Sequence, residues 1–312
     1  MSDLAPFLLI THYQPRVWGG GRLARGPEPI GEAWGAWEGN LIASGPDEGL
    51  RLDEACRRYG ADLLGTRSVA RHGERFPILT KLIDTREWLS VQLHPNDAQA
   101  EELEGAGQLG KTEAWYLIET APDAEIILGL REGVDRAEFA AAIRAGRVLD
   151  AIARQPARAG DTWFIPAGTV HALGPGIFLF EVQQSSDITY RVYDWDRPAS
   201  AGRELHIEQA IRCVEPGAGE RIAPAEPRPR EPLTLIESDY FTLARLLVPE
   251  GSPARLDTAG ESFHALTCIA GEARISSPSG DLSLPLHATA IVPAATGAYE
   301  VHGSAELMLS TA

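Results

Sequence analysis

Three side chains within one short stretch of this 312-residue chain have the types and spacing of a metal site. Val91 and Leu93 alternate with Gln92 and His94, which is the period of a β-strand, so Gln92 and His94 point to one face. Pro95 and the Asn96-Asp97 pair stop that strand. After a Gly-rich loop, Glu113 opens a second strand-like run, Ala114 to Leu117. If the two strands are neighbours in one sheet, Gln92, His94 and Glu113 converge. An amide oxygen, an imidazole and a carboxylate make a borderline-hard metal site that lacks one ligand.

The stretch from Lys81 to Glu113 holds every lysine of the chain. Lys81 and Lys111 stand against 26 arginines. A chain so biased toward arginine keeps lysine where a compact ammonium or a titratable amine is needed. Lys111 lies two residues before Glu113.

Gly160 to His171 reads as turn, strand, tight Pro166-Ala-Gly168 turn, and a histidine starting the next strand. The spacing G-x5-P-x-G-x2-H matches the second motif of cupins, which in that superfamily delivers the last histidine to a metal inside a small β-barrel. On that resemblance His171 is the missing ligand. The first cupin motif is altered: Gln92-x-His94 stands where H-x-H is usual, and a loop separates it from Glu113. L-S-V-Q-L-H-P-N-D at 89–97, G-K-T-E-A-W-Y at 110–116, I-P-A-G-T-V-H-A-L at 165–173 and S-S-D-I-T-Y-R-V-Y-D-W-D-R at 185–197 resemble one cupin family, the zinc-dependent type I mannose-6-phosphate isomerases in their short bacterial form. W-G-G at 18–20 and G-E-x-W at 31–34 support the resemblance, which weakens after about residue 235.

The resemblance implies interconversion of mannose 6-phosphate and fructose 6-phosphate through an enediol. It implies one zinc ion per chain, held by Gln92, His94, Glu113 and His171. It implies Lys111, Arg191 and Asp187 as catalytic residues: Lys111 as base or substrate holder, Arg191 for enediolate charge or phosphate, and Asp187 to orient Arg191 or handle a hydroxyl proton. Lys81 and Ser90 are implied substrate contacts. Two rivals stand beside this reading. Two histidines and a carboxylate on a cupin barrel also form a non-haem iron oxygenase site, against which Gln92 and both lysines argue. A non-catalytic sugar-phosphate-binding cupin is the other, since the fold hosts many functions.

Positioning these groups calls for a mainly β fold, expected as two cupin-like jelly-roll β-barrels with a small helical excursion. The expected division is a metal-binding catalytic domain over 1–214, a linker over 215–232 rich in Pro, Gly, Ala, Arg and Glu, and a smaller jelly roll without metal over 233–312. Leu52 to Tyr59, Ala61 to Leu64 and Leu205 to Val214 read as short helices. The excursion is a helical region from Val134 to Ala153, with Phe139, Ile143 and Leu149 facing the core and Gly146 as a break. Ser185 to Arg197 reads as one strand, with Asp187, Thr189 and Arg191 on its polar face.

Composition narrows the partners. The net charge of −16 argues against nucleic acid and anionic membranes, so a phosphorylated sugar needs a local cluster of cations. No apolar run is long enough to span a bilayer, and the first ten residues lack the basic start of a signal peptide, so a cytoplasmic location is expected. Three widely spaced cysteines suggest neither a disulfide framework nor a metal clip.

Overall fold

A computed structural model describes residues 4–23, 27–197, 203–217 and 219–312. Residues 1–3 at the start of the chain and Ala218 in the expected linker lie outside the described residues. The chain is mainly β and forms two compact units that interleave along the sequence. One unit comprises 1–14, 33–82 and 225–312; the other comprises 15–32 and 83–224. Three of the four divisions fall within the strands His12–Gly20, Ile30–Ala36 and Ile78–Asp84; the fourth, at 224/225, lies between strands.

The unit that carries the C-terminus is built on an eight-stranded antiparallel sheet. Its order is Phe7–Leu8, Thr289–Val292, His264–Ser277, Ala298–Thr311, Thr242–Val248 and Leu233–Glu237, with Ala254–Asp257 and Gly280–Leu284 paired alongside. Alternate residues such as Leu246, Leu266, Ile275, Val301 and Leu307 fill one core. The helices Leu52–Tyr59 and Ala61–Leu64 form where the sequence places them. Asp53 and Glu54 start the first helix, and Arg57 and Arg58 end it, which complements the helix dipole.

The other unit is a two-layer sandwich. One layer is a five-stranded sheet in the order Tyr190–Tyr193, Val91–Leu93, His171–Leu173, Glu125–Leu130, Ile152–Pro156. The second layer includes four strands in the order Glu220–Ile222, Thr162–Ile165, Glu113–Thr120, Ile177–Gln184. Ile126, Leu128 and Leu173 of the first layer share a core with Trp115, Leu117, Trp163 and Leu179 of the second. The opposite phase of the first layer, including Val91, Leu93, Ile127 and Ala172, packs with Phe139, Ile143, Ala210 and Cys213 of two helices. The pairing in each sheet is open from end to end, so the expected barrels are facing sheets rather than closed rings.

Local expectations differ from the structure in four places. The helical excursion is shorter, with an α-helix over Arg136–Arg144, a 3-10 turn over Val148–Asp150, and a strand from Ile152. Asp135 caps the helix in a reciprocal box with Glu138, and Gly146 leaves it at φ +67°. Asn96 does not merely end a strand; it caps a helix over Asp97–Glu104, accepting from Gln99 N at 2.9 Å. Only Tyr190–Tyr193 of the 185–197 run is strand. Within 215–232, Glu220–Ile222 pairs with Thr162–Phe164, an edge strand too short for composition to reveal.

Candidate metal centre

Register aligns the site. His171 lies opposite Gln92 on one neighbouring strand and opposite Leu128 on the other. Leu128 faces the core between the layers, so His171 and Gln92 face it too. Arg191, opposite Gln92 on its far side, extends the row. His94 continues the phase of Gln92 just past the strand end. From the second layer, Trp115 and Leu117 share that core, and Glu113 is in phase with them. The carboxylate therefore meets the imidazoles across the sandwich, from the opposite sheet, and not from the same sheet as the sequence reading expects.

The ligand atoms of His94, Glu113 and His171 all lie within 4.8 Å of one another, and all three residues are buried. Glu113 Oε1 is 3.3 Å from His171 Nε2, and Glu113 Oε2 is 3.4 Å from His94 Nε2. Lys111 Nζ lies 2.9 Å from Glu113 Oε2 and 3.1 Å from His94 Nε2. Despite that ionic contact, Glu113 Oε2 has no properly directed hydrogen bond among the described residues. Gln92 Nε2 is 3.4 Å from His171 Nε2, and Gln92 Oε1 accepts from Ser90 Oγ at 3.0 Å.

Both imidazoles are aimed by backbone carbonyls. His94 Nδ1 bonds Ile188 O at 2.7 Å, and His171 Nδ1 bonds Thr169 O at 2.9 Å. A carbonyl only accepts, so each Nδ1 carries the proton and each Nε2 presents a lone pair to Glu113. Burial, with Lys111 adding to it, drives His94 down to about 3. Burial also lowers His171. Burial alone would raise the Glu113 carboxyl, but the adjacent Lys111 charge, the largest opposing cause, holds it well below its ordinary value. Two neutral imidazoles and one ionised carboxylate, with an undirected oxygen, fit a divalent cation.

The surrounding loops are fixed by short polar bonds. Gly110 N and Gln184 Nε2 both donate to Asp97 Oδ1, and Gln184 Oε1 accepts from Thr112 N at 2.9 Å. This frame brackets Lys111. A Cβ on Gly110 would sit 2.5 Å from the backbone carbon of Asn96, so glycine permits the close approach. The Pro-Ala-Gly turn is held by Gly168 N donating to His94 O at 2.8 Å, and Gly168 takes φ +87°. Trp115 stands edge-on to the His171 ring at 5.5 Å and donates from Nε1 to Glu181 Oε2.

The remaining expected residues are distributed as follows. Arg191 is half-buried, and its Nε has no hydrogen-bond partner among the described residues. Burial, then the Arg203 charge, lowers its guanidinium from the ordinary value. Asp187 is exposed on the non-strand segment before Tyr190. Ser90 is fully buried. Lys81 belongs to the other compact unit, where it is buried with Nζ 5.7 Å from the centre of the Trp34 ring. Arg203 was not singled out by the sequence, yet it donates to both Asp194 and Ser90. No local pattern around it signals this.

Residues 7–116 match the family described as "Phosphomannose isomerase type I, catalytic domain", and residues 231–312 match "Mannose-6-phosphate isomerase, cupin domain". A mannose-6-phosphate isomerase of Streptococcus mutans is 34% identical over 98% of both chains. The crystal structure of mannose 6-phosphate isomerase from Bacillus subtilis superposes with a TM-score of 0.88 at 31% identity, covering 98% of this chain and 99% of that one. A zinc-bound mannose 6-phosphate isomerase shares the fold at TM-score 0.76 and 17% identity, covering 98% and 99%. With two family matches at its ends and full-length identity above 30%, this chain belongs to the mannose-6-phosphate isomerase family of isomerases.

Proposed function

We propose that the chain is a zinc-dependent aldose–ketose isomerase that interconverts mannose 6-phosphate and fructose 6-phosphate. The observation that carries this reading is the buried Glu113 carboxylate: Oε2, without a directed hydrogen bond among the described residues, lies 3.4 Å from His94 Nε2 and 2.9 Å from Lys111 Nζ, and Oε1 lies 3.3 Å from His171 Nε2. His94, Glu113 and His171 would hold the ion, and Gln92 would join them through Oε1 after a half-turn of its amide. When bound, zinc supplies Lewis acidity toward the sugar oxygens without redox chemistry, which suits a reaction with no net electron change.

The chain's own groups carry the remaining steps. Lys111 Nζ moves the proton between carbons 1 and 2, and the Asp97–Gln184 frame keeps its backbone in place. Arg191 faces negative charge, on the enediolate or the phosphate; its buried Nε, without a hydrogen-bond partner among the described residues, supports that role. Asp187, being exposed, handles a hydroxyl proton as the sugar ring opens. Burial of His94, Glu113 and His171 keeps bulk water from a reactive enediol.

Incubation of zinc-loaded protein with fructose 6-phosphate in deuterated water tests the reading. The expected product is mannose 6-phosphate carrying deuterium at carbon 2, abolished by a chelator and restored by zinc. Absence of product with zinc present overturns the substrate assignment, and chelator-resistant turnover overturns the metal role.

A further inference from the structure

Three consecutive residues that lead into the Gln92 strand each receive a hydrogen bond from one distant segment. Arg197 Nη2 donates to Trp88 O at 2.7 Å. Trp195 Nε1 donates to Leu89 O at 2.7 Å. Arg203 Nη2 donates to Ser90 Oγ at 3.1 Å. The two arginine donors are themselves tied together by one carboxylate. Asp194 accepts from Arg197 Nη1 at 2.8 Å through Oδ1 and from Arg203 Nε at 2.7 Å through Oδ2. The side chains of Asp194, Arg197 and Arg203 are 8, 13 and 15% exposed, so these bonds are largely shielded from water. Trp195 and Asp196 both adopt positive φ, at 56° and 55°. Two successive non-glycine residues in that region cost stability. Trp195 stacks on Trp88 with ring centres 5.0 Å apart, which offsets part of it.

The chain of bonds ends at the metal ligands. Ser90 Oγ accepts a hydrogen bond from Arg203 and donates one to Gln92 Oε1 at 3.0 Å, while Gln92 Nε2 sits 3.4 Å from His171 Nε2. A hydroxyl has one proton and two lone pairs. With one lone pair held by Arg203, Ser90 can still donate to the Gln92 oxygen or accept from its amide nitrogen. It therefore anchors the side chain in either orientation of the amide.

We infer that Arg203 is a positioning residue that acts through Ser90 on Gln92, fixing the amide that completes the cation site. The inference rests on the proposed metal reading and adds to it a residue outside the ligand set. It also gives Ser90 a second task, because its buried hydroxyl is engaged on both sides. Arg203 is held at two points by a planar fork: Nε to Asp194 and Nη2 to Ser90. A lysine has one ammonium on a flexible stem and cannot reproduce both bonds in fixed geometry.

The test is zinc affinity, measured by competition against a chromophoric chelator, with melting temperature recorded alongside. Removing a partner that orients a ligand typically weakens metal binding about 10- to 100-fold. Ser90→Ala, Arg203→Met and Arg203→Lys are each expected to fall in that range. The Ser90→Ala/Arg203→Met double variant is expected to bind no more weakly than the worse single variant, since both act on one bond. In a Gln92→Ala background, Arg203→Met is expected to have no further effect. Unchanged affinity in Arg203→Met, additive losses in the double variant, or a full Arg203 effect without Gln92 would each overturn the inference. Ser90→Ala keeps the result decisive if Arg203→Met fails to fold. His94→Ala separates the two readings: if it leaves zinc affinity intact, the metal site itself is wrong and both fall. If it abolishes binding while Arg203→Met does not weaken it, only the role of Arg203 falls.

Discussion

Replacing Lys111 with methionine should separate its structural charge from its chemistry. Lys111 Nζ lies 2.9 Å from Glu113 Oε2, and both side chains are nearly inaccessible, at 6 and 1%. Without the ammonium, an ionised carboxylate remains buried beside two neutral imidazoles. Breaking a buried pair in this way costs about 3–5 kcal/mol. For a unit of this size each kcal/mol shifts melting by roughly 2–4 °C, so the metal-free variant should melt about 6–20 °C below metal-free wild type. A divalent cation supplies the missing positive charge. The ammonium also competes for Glu113 Oε2, so its loss should strengthen zinc binding and enlarge the zinc-induced rise in melting temperature. Turnover should fall about 10²- to 10⁴-fold, the range for loss of a positioned proton-transfer group. Differential scanning fluorimetry with chelator and with zinc, beside steady-state kinetics, reads all three. A metal-free variant melting within about 2 °C of wild type, or one that gains no more from zinc, would refute the charge argument. Near-normal turnover would refute the chemical role.

Three further outcomes follow from other sites. Gly168→Ala places a Cβ 2.7 Å from Glu215 Cγ and 2.8 Å from Cys213 O at φ +87°, so it should destabilise by more than the roughly 1–2 kcal/mol of the backbone term alone and weaken zinc binding through His94 and His171; chemical denaturation and chelator competition measure both. Arg191→Met should lose most activity yet melt no lower than wild type without substrate, because burial and the Arg203 charge already disfavour the guanidinium; a large drop in melting temperature would contradict this. His264, pushed down to about 4 by burial with its Nδ1 on Tyr299 OH at 2.7 Å, is held neutral in the folded state. The stability it protects is complete above the unfolded value of 6.5 and is lost as pH falls from there toward 4, by up to about 3 kcal/mol; His264→Gln should flatten that part of the stability–pH curve measured by urea unfolding.

The parts of the site that sequence reveals are those whose signals are local. Alternation across Val91–His94 assigns Gln92 and His94 to one face, and the Pro-Ala-Gly turn announces the strand that begins at His171. The scarcity of lysine draws attention to Lys111, which the structure buries against Glu113 and His94. What the period of two cannot supply is the layer to which a strand belongs. Glu113 has the right phase, but it reaches the histidines across the sandwich, and nothing near it in sequence encodes that distance. Asp97–Glu104 shows a different failure. Pro95 and the glycines after Glu104 suggest a loop, while the Asn96–Gln99 capping box is the helix signal. Arg203 is the extreme case. Its partners, Ser90 and Asp194, are 113 and 9 residues away, and only the folded chain joins them.

On the proposed reading, the row Arg191, Gln92, His171 accounts for how an acidic protein would handle a phosphorylated sugar. The chain carries a net charge of −16, so its far field repels the substrate, and attraction has to be local. Register puts a guanidinium and an imidazole on the two strands flanking Gln92. Strands lie about 4.8 Å apart, so the anion-seeking and metal-seeking ends of the row are separated by roughly 10 Å at the backbone, and less where the side chains lean inward. On the proposed reading, that span suits a ligand with its phosphate at one end and its carbonyl carbons at the other. Each end holds a group that is poorly satisfied by the protein: Arg191 Nε and Glu113 Oε2. The stability forgone at these two atoms is the physical counterpart of binding, because an anion at one and a cation at the other satisfy both. Gln92, between them, accepts from Ser90 Oγ and places Nε2 3.4 Å from His171 Nε2. A neutral amide at that position spaces the two ends and can turn either an oxygen or a nitrogen toward its neighbours.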